Sequence, residues 1–338
     1  MRAPTLSRSH AGLRRRMGAA LASALAAALL GLPDVTLAAD AYPSHPIRVI
    51  VPFAAGSGTD NGVRMSTQYV AQKQGWNLIV DNRPGGNGII GVQEFLHGSP
   101  DGYTLISTGN TTHAGNPVLF KQLPYDPIRD FTPIHRSLVA PLALFVAPKH
   151  NIQDVQGLIA YIRSQPPNTV TYAAGSASHR ATAELFNQRA GLKTTHVPYK
   201  SSPQALTDLI GGHVDFMFVD TGAVLGQIQG GTLKPLAVTS AQRVEVLPQV
   251  PTMIESGLPD FVMTGWSVLF APRGTPEPVV QRLREAFRDY SHSETGTKYR
   301  RDLGAFYEDQ TPEQLQAFIQ RELKLYQDIY SKAGIQPE

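Results

Sequence analysis

Apolar positions along the chain follow two alternating rhythms. Short, nearly continuous apolar runs occur at 47–53 (IRVIVPF), 77–82 (NLIVDN) and 103–108 (YTLIST). Between them, 62–75 (GVRMSTQYVAQKQG) and 88–99 (GIIGVQEFLHGS) repeat apolar residues at the three-to-four spacing of a helix. The order predicts β-α-β-α-β, the signature of a parallel sheet flanked by helices. A polar loop is expected over 109–117. The second half continues in the same style. Strands are expected at 142–148, 170–175, 195–199, 214–220, 233–240 and 265–272. Helices are expected at 154–165, 176–191, 202–212 and 223–231, with a purely helical tail at 276–292 and 312–334.

So many strands in one chain favour two α/β lobes over a single sheet. The strandless tail suggests that the chain returns to cover the first lobe. The expected division is residues 40–141 with 266–338 as one lobe and 142–265 as the other. Crossing strands near Leu142 and Gly265 would act as the hinge. The fold class is therefore α/β, a two-lobed binding protein with mainly parallel sheets.

The N-terminus changes how the rest is weighed. Arg2, Arg8 and Arg14 to Arg16 precede an uncharged stretch, Met17 to Leu32, and then small residues. The stretch falls short of the roughly 20 apolar residues of a spanning helix. Residues 1–39 are thus expected to be a secretory signal peptide, cut after Ala39 or Ala41, with a periplasmic destination. The chain has no Cys, which excludes a lipoprotein anchor, disulfides, thiolate metal sites and Cys nucleophiles. Five of the 30 Lys and Arg and one of the 27 Asp and Glu lie in residues 1–39, so the remainder carries a formal net charge of −1 against +3 for the whole. No basic excess is left to suggest nucleic acid or an anionic membrane surface. His-only or carboxylate metal sites stay open, but no H-E-x-x-H or EF-hand spacing occurs, and no metal or cofactor is expected.

In open parallel sheets, ligands sit beyond the carboxyl ends of the strands. Four such ends carry short polar segments. Phe53, Ala54, Gly56, Ser57, Thr59 and Asp60 follow the first strand. Thr108, Asn110, Thr111 and His113 follow the third. Gly175, Ser176, Ser178, His179 and Arg180 follow the strand at 170–175. Asp220 and Thr221 follow the strand at 214–220. Three of the four lead into helix N-termini, where free N–H groups and the dipole favour an anion. The same residue types also cap helices and make turns, and Asp60 could simply cap its helix. Arg180 opposes the dipole of its own helix, a cost more easily accepted if it grips an anion. Trp266 is either a cleft-wall aromatic or core. Catalytic arrangements are poorly represented: there is no nucleophile elbow and no phosphate loop.

These segments carry a resemblance. YPSHPIRVIVPFAAGSGTD, VDNRPGGNGIIG, SPDGYTLIST, NPVLFKQLPYDPIRDFTPI, HVPYKSSPQALTDLIGGHVDFMF, LAVTSAQRVEVLPQVPTMIESGLP and LFAPRGTP, in this order from Tyr42 to the C-terminal region, resemble the Bug-type extracytoplasmic solute receptors of tripartite tricarboxylate transporters. The resemblance implies two lobes closing on a small carboxylate, delivery to membrane permease subunits, no catalysis and no metal. It implies ligand contacts from Phe53 to Asp60, Thr108 to Gly115, Gly175 to Arg180 and Phe218 to Thr221. The chain departs from the common pattern inside these segments. Ala55-Gly56-Ser57 stands where many relatives have Pro-Gly-Gly, GSASHR is shorter than usual, and Val219-Asp220 replaces Asp-Asn. The ligand therefore does not carry over. Aliphatic dicarboxylates, amino acids and aromatic carboxylates all fit a helix-terminus site. A monomer is expected. The alternatives are a secreted hydrolase or lyase on the same scaffold, and a receptor that presents its ligand to a periplasmic signalling domain.

One motif points elsewhere. Gly86, Gly88 and Gly91 in NRPGGNGIIG match a dinucleotide-binding spacing between strand and helix. The next strand, however, ends in Thr108-Gly109-Asn110 and lacks the acidic residue such a site needs. The stretch reads better as a turn leaving an edge strand.

Overall fold

The computed structural model describes residues 42–337. The expected signal peptide lies outside the described residues. Among the described residues nine strands are joined by hydrogen bonds, eight of them in one path. In chain order they are β1 (Ile47–Val51), β2 (Leu78–Asn82), β3 (Thr104–Gly109), β4 (Phe131–Val146), β5 (Thr171–Ala174), β6 (Thr195–Pro198), β7 (Phe216–Asp220), β8 (Pro235–Val238) and β9 (Thr264–Pro272). Their spatial order is β2-β1-β3-β9-β4-β7-β5-β6, with β8 also on β4. β2 is an edge strand, as the turn at Asn82 to Gly85 suggested.

Parallel pairing holds for β1 with β2 and β3, and for β5 with β6 and β7. At the centre the pairing turns antiparallel. β9 runs antiparallel to β3, and β4 runs antiparallel to β7, β8 and β9. The long strand β4 joins the two parallel groups. Its residues Phe131 to Pro141 pair with β9, and Leu142 to Val146 pair with β7. The change of partner falls at Pro141/Leu142. β9 pairs only with β3 and β4, and the preceding residues are held by Met263 N donating to Thr239 O and Thr239 N donating to Leu142 O.

The half of β4 that lies with β7 is buried on both faces, and its period of two divides its side chains. Leu142, Leu144 and Val146 enter one apolar cluster with Phe216 and Phe218 of β7. Ala143 and Phe145 enter another with Met217 and Val219. Truncating one of these phenylalanines to Ala costs about 3–5 kcal/mol.

The helices begin and end on local chemistry. α1 (Gly58–Gln74) starts at Ser57, whose hydroxyl accepts from Asp60 N, and stops at Gly75 in the left-handed region. After α2 (Ile89–Leu96), the expected loop at 109–117 is instead helical: a wide turn over Thr111–Gly115 runs into α3 (Asn116–Leu119). Burial explains this, because all residues from Thr111 to Asn116 are buried and their main-chain groups need partners. α4 (Val155–Ser164) is capped by Asp154, and α5 (Ala177–Ala190) by Ser176. α6 (Ser202–Ile210) and the short α7 (Leu225–Gln229) follow. The tail contains three helices, one more than expected: α8 (Glu277–His292), α9 (Glu294–Leu303) and α10 (Pro312–Lys332). α10 opens with a reciprocal capping box between Thr311 and Gln314. Among the described residues no helix is long and apolar enough to cross a membrane.

Candidate ligand-binding site

All six parallel strands deliver their carboxyl ends to one cleft of about 1250 Å3. Phe53, Ala54, Ser57 and Thr59 enter its wall after β1, Asn110 and Thr111 after β3, and Gly175, Ser176, Ser178 and His179 after β5. Asp220 lines it at the end of β7, and Trp266 from β9. Two strand ends whose role the sequence reading did not recognise complete the wall: Pro84 to Gly88 after β2, and Pro198 to Ser202 after β6. The glycine stretch read as a mere turn therefore faces the cleft. Arg64 of α1, Phe120, Leu138 and Ala140 of β4, and Tyr299 and Leu303 of α9 also contribute.

Two long helices point their N-termini at this space. In α1, the caps engage Asp60 N through Ser57 Oγ and Asn61 N through Ser57 O. The N–H groups of Gly58 and Thr59 keep no partner among the described residues, and both residues line the cleft. α5 repeats the arrangement. His179 N donates to Ser176 Oγ and Arg180 N to Ser176 O, which leaves the N–H groups of Ala177 and Ser178. Unclaimed first-turn donors at the positive end of a helix dipole suit an anion.

Asp60 shapes the loop between β1 and α1 from behind. Its buried carboxylate accepts from Gly56 N at 2.9 Å, Arg64 Nε at 3.0 Å and Asn82 Nδ2 at 2.9 Å. Asn82 also donates to Phe53 O. Burial opposes the charge, but the hydrogen bonds from Arg64, Gly56 and Asn82 outweigh it and hold the carboxyl below its usual range. Asp60 and Gly56 are not in the cleft wall.

On the opposite side, Asn110 fastens β3 to β9. It donates to Thr264 O at 3.0 Å and accepts from Trp266 N at 2.7 Å. The chains approach so closely here that a Cβ on Gly109 would collide with Trp266 O. The Trp266 indole donates to Glu322 Oε2 of α10 at 2.7 Å. Burial pushes the Glu322 carboxyl upward despite that bond.

Four further candidates lie off the cleft wall. Thr108 bonds Thr112 in the buried interior, and Thr221 donates to Leu303 O, tying β7 to α9. His113 stacks on Phe270 at 4.4 Å, and complete burial pushes its imidazole down to about 3, so it is a neutral core residue. Arg180 is turned away from the cleft. Its guanidinium lies 5.8 Å from the Tyr330 ring of α10, and its Nε is buried without a partner. The remaining cleft charges are Arg64, bound to Asp60; Lys200, exposed and in no ion pair among the described residues; and Asp220, which meets His179. No group of three or more His, Cys, Asp or Glu able to hold a metal occurs among the described residues.

A family model for the tripartite tricarboxylate transporter family receptor matches residues 63–335. The chain belongs to this receptor family. BugT of Bordetella pertussis is 33% identical over 301 residues, covering 88% of this chain and 92% of that protein. Among solved structures, Rpa4515 of R. palustris with adipate is 31% identical with a TM-score of 0.85, over 88% of this chain and all of that one. MatC of Rhodopseudomonas palustris with bound malate is also 31% identical, with a TM-score of 0.79 over 85% of this chain and 99% of that one. The receptor's α/β fold is thus that of the periplasmic binding proteins of its family.

Proposed function

We propose that this receptor is secreted to the periplasm, captures a small organic carboxylate in the cleft, and presents it to membrane permease subunits. The observation that carries this reading is the pair of helix N-termini. α1 follows β1, and α5 follows β5, so the two sets of unclaimed N–H donors come from opposite sides of the partner change in β4. Adipate and malate in the two neighbouring structures are both dicarboxylates, in keeping with such donors.

Residues 40–141 with 266–338 act as one lobe and 142–265 as the other, hinged where β4 changes partner at Pro141/Leu142. One lobe takes the acid, and closure brings the other lobe's polar segments over it. Ser57, Thr59, Thr111, Ser176 and Ser178 supply hydroxyls around it, and Trp266 and Phe53 supply apolar wall. The receptor works without catalysis. His179 meets Asp220 through Nε2, but its Nδ1 is buried without a partner, so no serine is activated through this pair.

The test is titration calorimetry of the purified protein against aliphatic mono- and dicarboxylates, amino acids and aromatic carboxylates. One-to-one binding by at least one acid is expected. A ligand at about 100 times its dissociation constant also stabilises the fold by about 2.7 kcal/mol, visible as a thermal shift. A folded protein that binds none of them refutes the proposal.

A further inference from the structure

The cleft of a receptor for anions contains an anionic side chain, and its surroundings give it a task. Asp220 ends β7 with its side chain about a third exposed to the cleft. Its Oδ2 lies 3.2 Å from His179 Nε2. No Lys or Arg among the described residues comes within ion-pair distance. The cleft's own cations are engaged or free elsewhere: Arg64 is bound to Asp60, and Lys200 is in no ion pair. The carboxylate is held in place by shape. A Cβ on Gly265 of β9 would stand 2.6 Å from Asp220 Oδ1, and one on Gly58 of α1 would stand 3.8 Å from its Cγ. Asp220 therefore sits where the end of β7 and the start of β9 meet the first turn of α1.

A dicarboxylate bound at that helix terminus would face a like charge across a few ångströms, inside a cleft that closure empties of water. A ligand that adds a donor beside its carboxylate turns the repulsion into a charge-assisted hydrogen bond. We propose that Asp220 is the specificity-determining residue of this cleft, and that it selects carboxylates bearing an amino group next to the acid. This assignment rests on the carboxylate-receptor reading above. In it, the N–H groups of Gly58 and Thr59 take the carboxylate, the Asp220 carboxylate accepts from the ammonium, and His179 fixes its orientation through Oδ2. A hydroxyl in place of the amine gives a weaker neutral donor and intermediate affinity.

The experiment is calorimetry of the wild-type protein and Asp220→Asn with two matched pairs, succinate with aspartate and glutarate with glutamate. Asn keeps an acceptor for His179 and the side-chain volume, and circular dichroism confirms that the variant is folded. Wild type should bind the amino acid of at least one pair more than tenfold tighter than its unsubstituted partner. Asp220→Asn should shrink that ratio at least fivefold, mainly by improving the plain dicarboxylate. If plain dicarboxylates bind as well as the amino acids, and the ratio is unchanged by Asp220→Asn, the role of Asp220 is overturned while the carboxylate reading stands. If neither member of either pair binds, nor any other acid in the wider panel, both fall.

Discussion

Asp60 and Asp220 are two carboxylates within reach of the same cleft, and their surroundings differ in every respect that matters. Asp60 is buried, and Arg64, Asn82 and Gly56 N–H satisfy it. Asp220 is partly open to the cleft and has one partner, His179. The first is spent on holding the protein's own loop between β1 and α1. The second keeps acceptor capacity facing the space where a ligand would sit. Proximity to a cleft therefore does not by itself leave a side chain able to meet a ligand; unspent hydrogen-bonding capacity does.

The largest expected effect separates the two residues by stability. Asp60→Ala orphans the Gly56 N–H, takes one of two acceptors from the Asn82 amide and breaks the ion pair of a half-exposed Arg64. It should cost about 2–3 kcal/mol in urea unfolding. Asp220→Ala should cost under about 1 kcal/mol, because it leaves only the imidazole of His179 unpaired. Equal costs would erase the distinction.

Acid sharpens the same contrast. The folded Asp60 carboxyl sits below its unfolded value of about 3.9. Its contribution is fully present above the unfolded value and is lost as pH falls through the folded one. Unfolding measured between about pH 5 and 2.5 should therefore show a shallower acid decline in Asp60→Asn than in wild type. Identical slopes would mean that Asp60 is not held as a carboxylate.

Smaller effects come from the supports of the opposite wall. Glu322→Ala leaves the Trp266 indole N–H without its acceptor and should cost about 1 kcal/mol net, since it also removes a buried carboxyl. Glu322→Gln should restore most of that. Ser176→Ala removes the α5 cap, again about 1 kcal/mol, and should weaken carboxylate binding by disordering the first turn. Arg180→Ala should have the least effect on binding. Turned toward Tyr330, Arg180 should leave affinity within about threefold, where a ligand-gripping arginine would lose tenfold or more, about 1.4 kcal/mol.

Much of this is legible in the sequence. The apolar runs at 142–148 and 214–220 stand out because those strands are buried on both faces. The strand-end rule found the cleft segments after β1, β3, β5 and β7. Other parts were hidden for physical reasons. The first half of β4 carries Pro133, His135, Arg136 and Ser137 and does not look like a strand. Its polar groups are absorbed by distant residues: Ser291 bonds His135, and Arg136 lies over Phe318 and pairs with Glu308. α9 is almost wholly polar, and its ends are set by Ser293 and Gly304 rather than by periodicity. Arg180 looked like an anion grip because its aromatic neighbour, Tyr330, lies far along the chain. The segments after β2 and β6 obey the same strand-end rule as the others. The segment after β2 reads as a turn because of its proline and glycines, although a turn at a strand end can also be a cleft wall.

The most direct test is a crystal structure of the protein grown with whichever acid gives the largest thermal shift. The account requires a carboxylate of that acid against the first turn of α1 or α5, within hydrogen-bond distance of the N–H groups of Gly58 and Thr59 or of Ala177 and Ser178. A ligand bound outside this cleft, or inside it with its carboxylate away from both helix N-termini, would contradict the account.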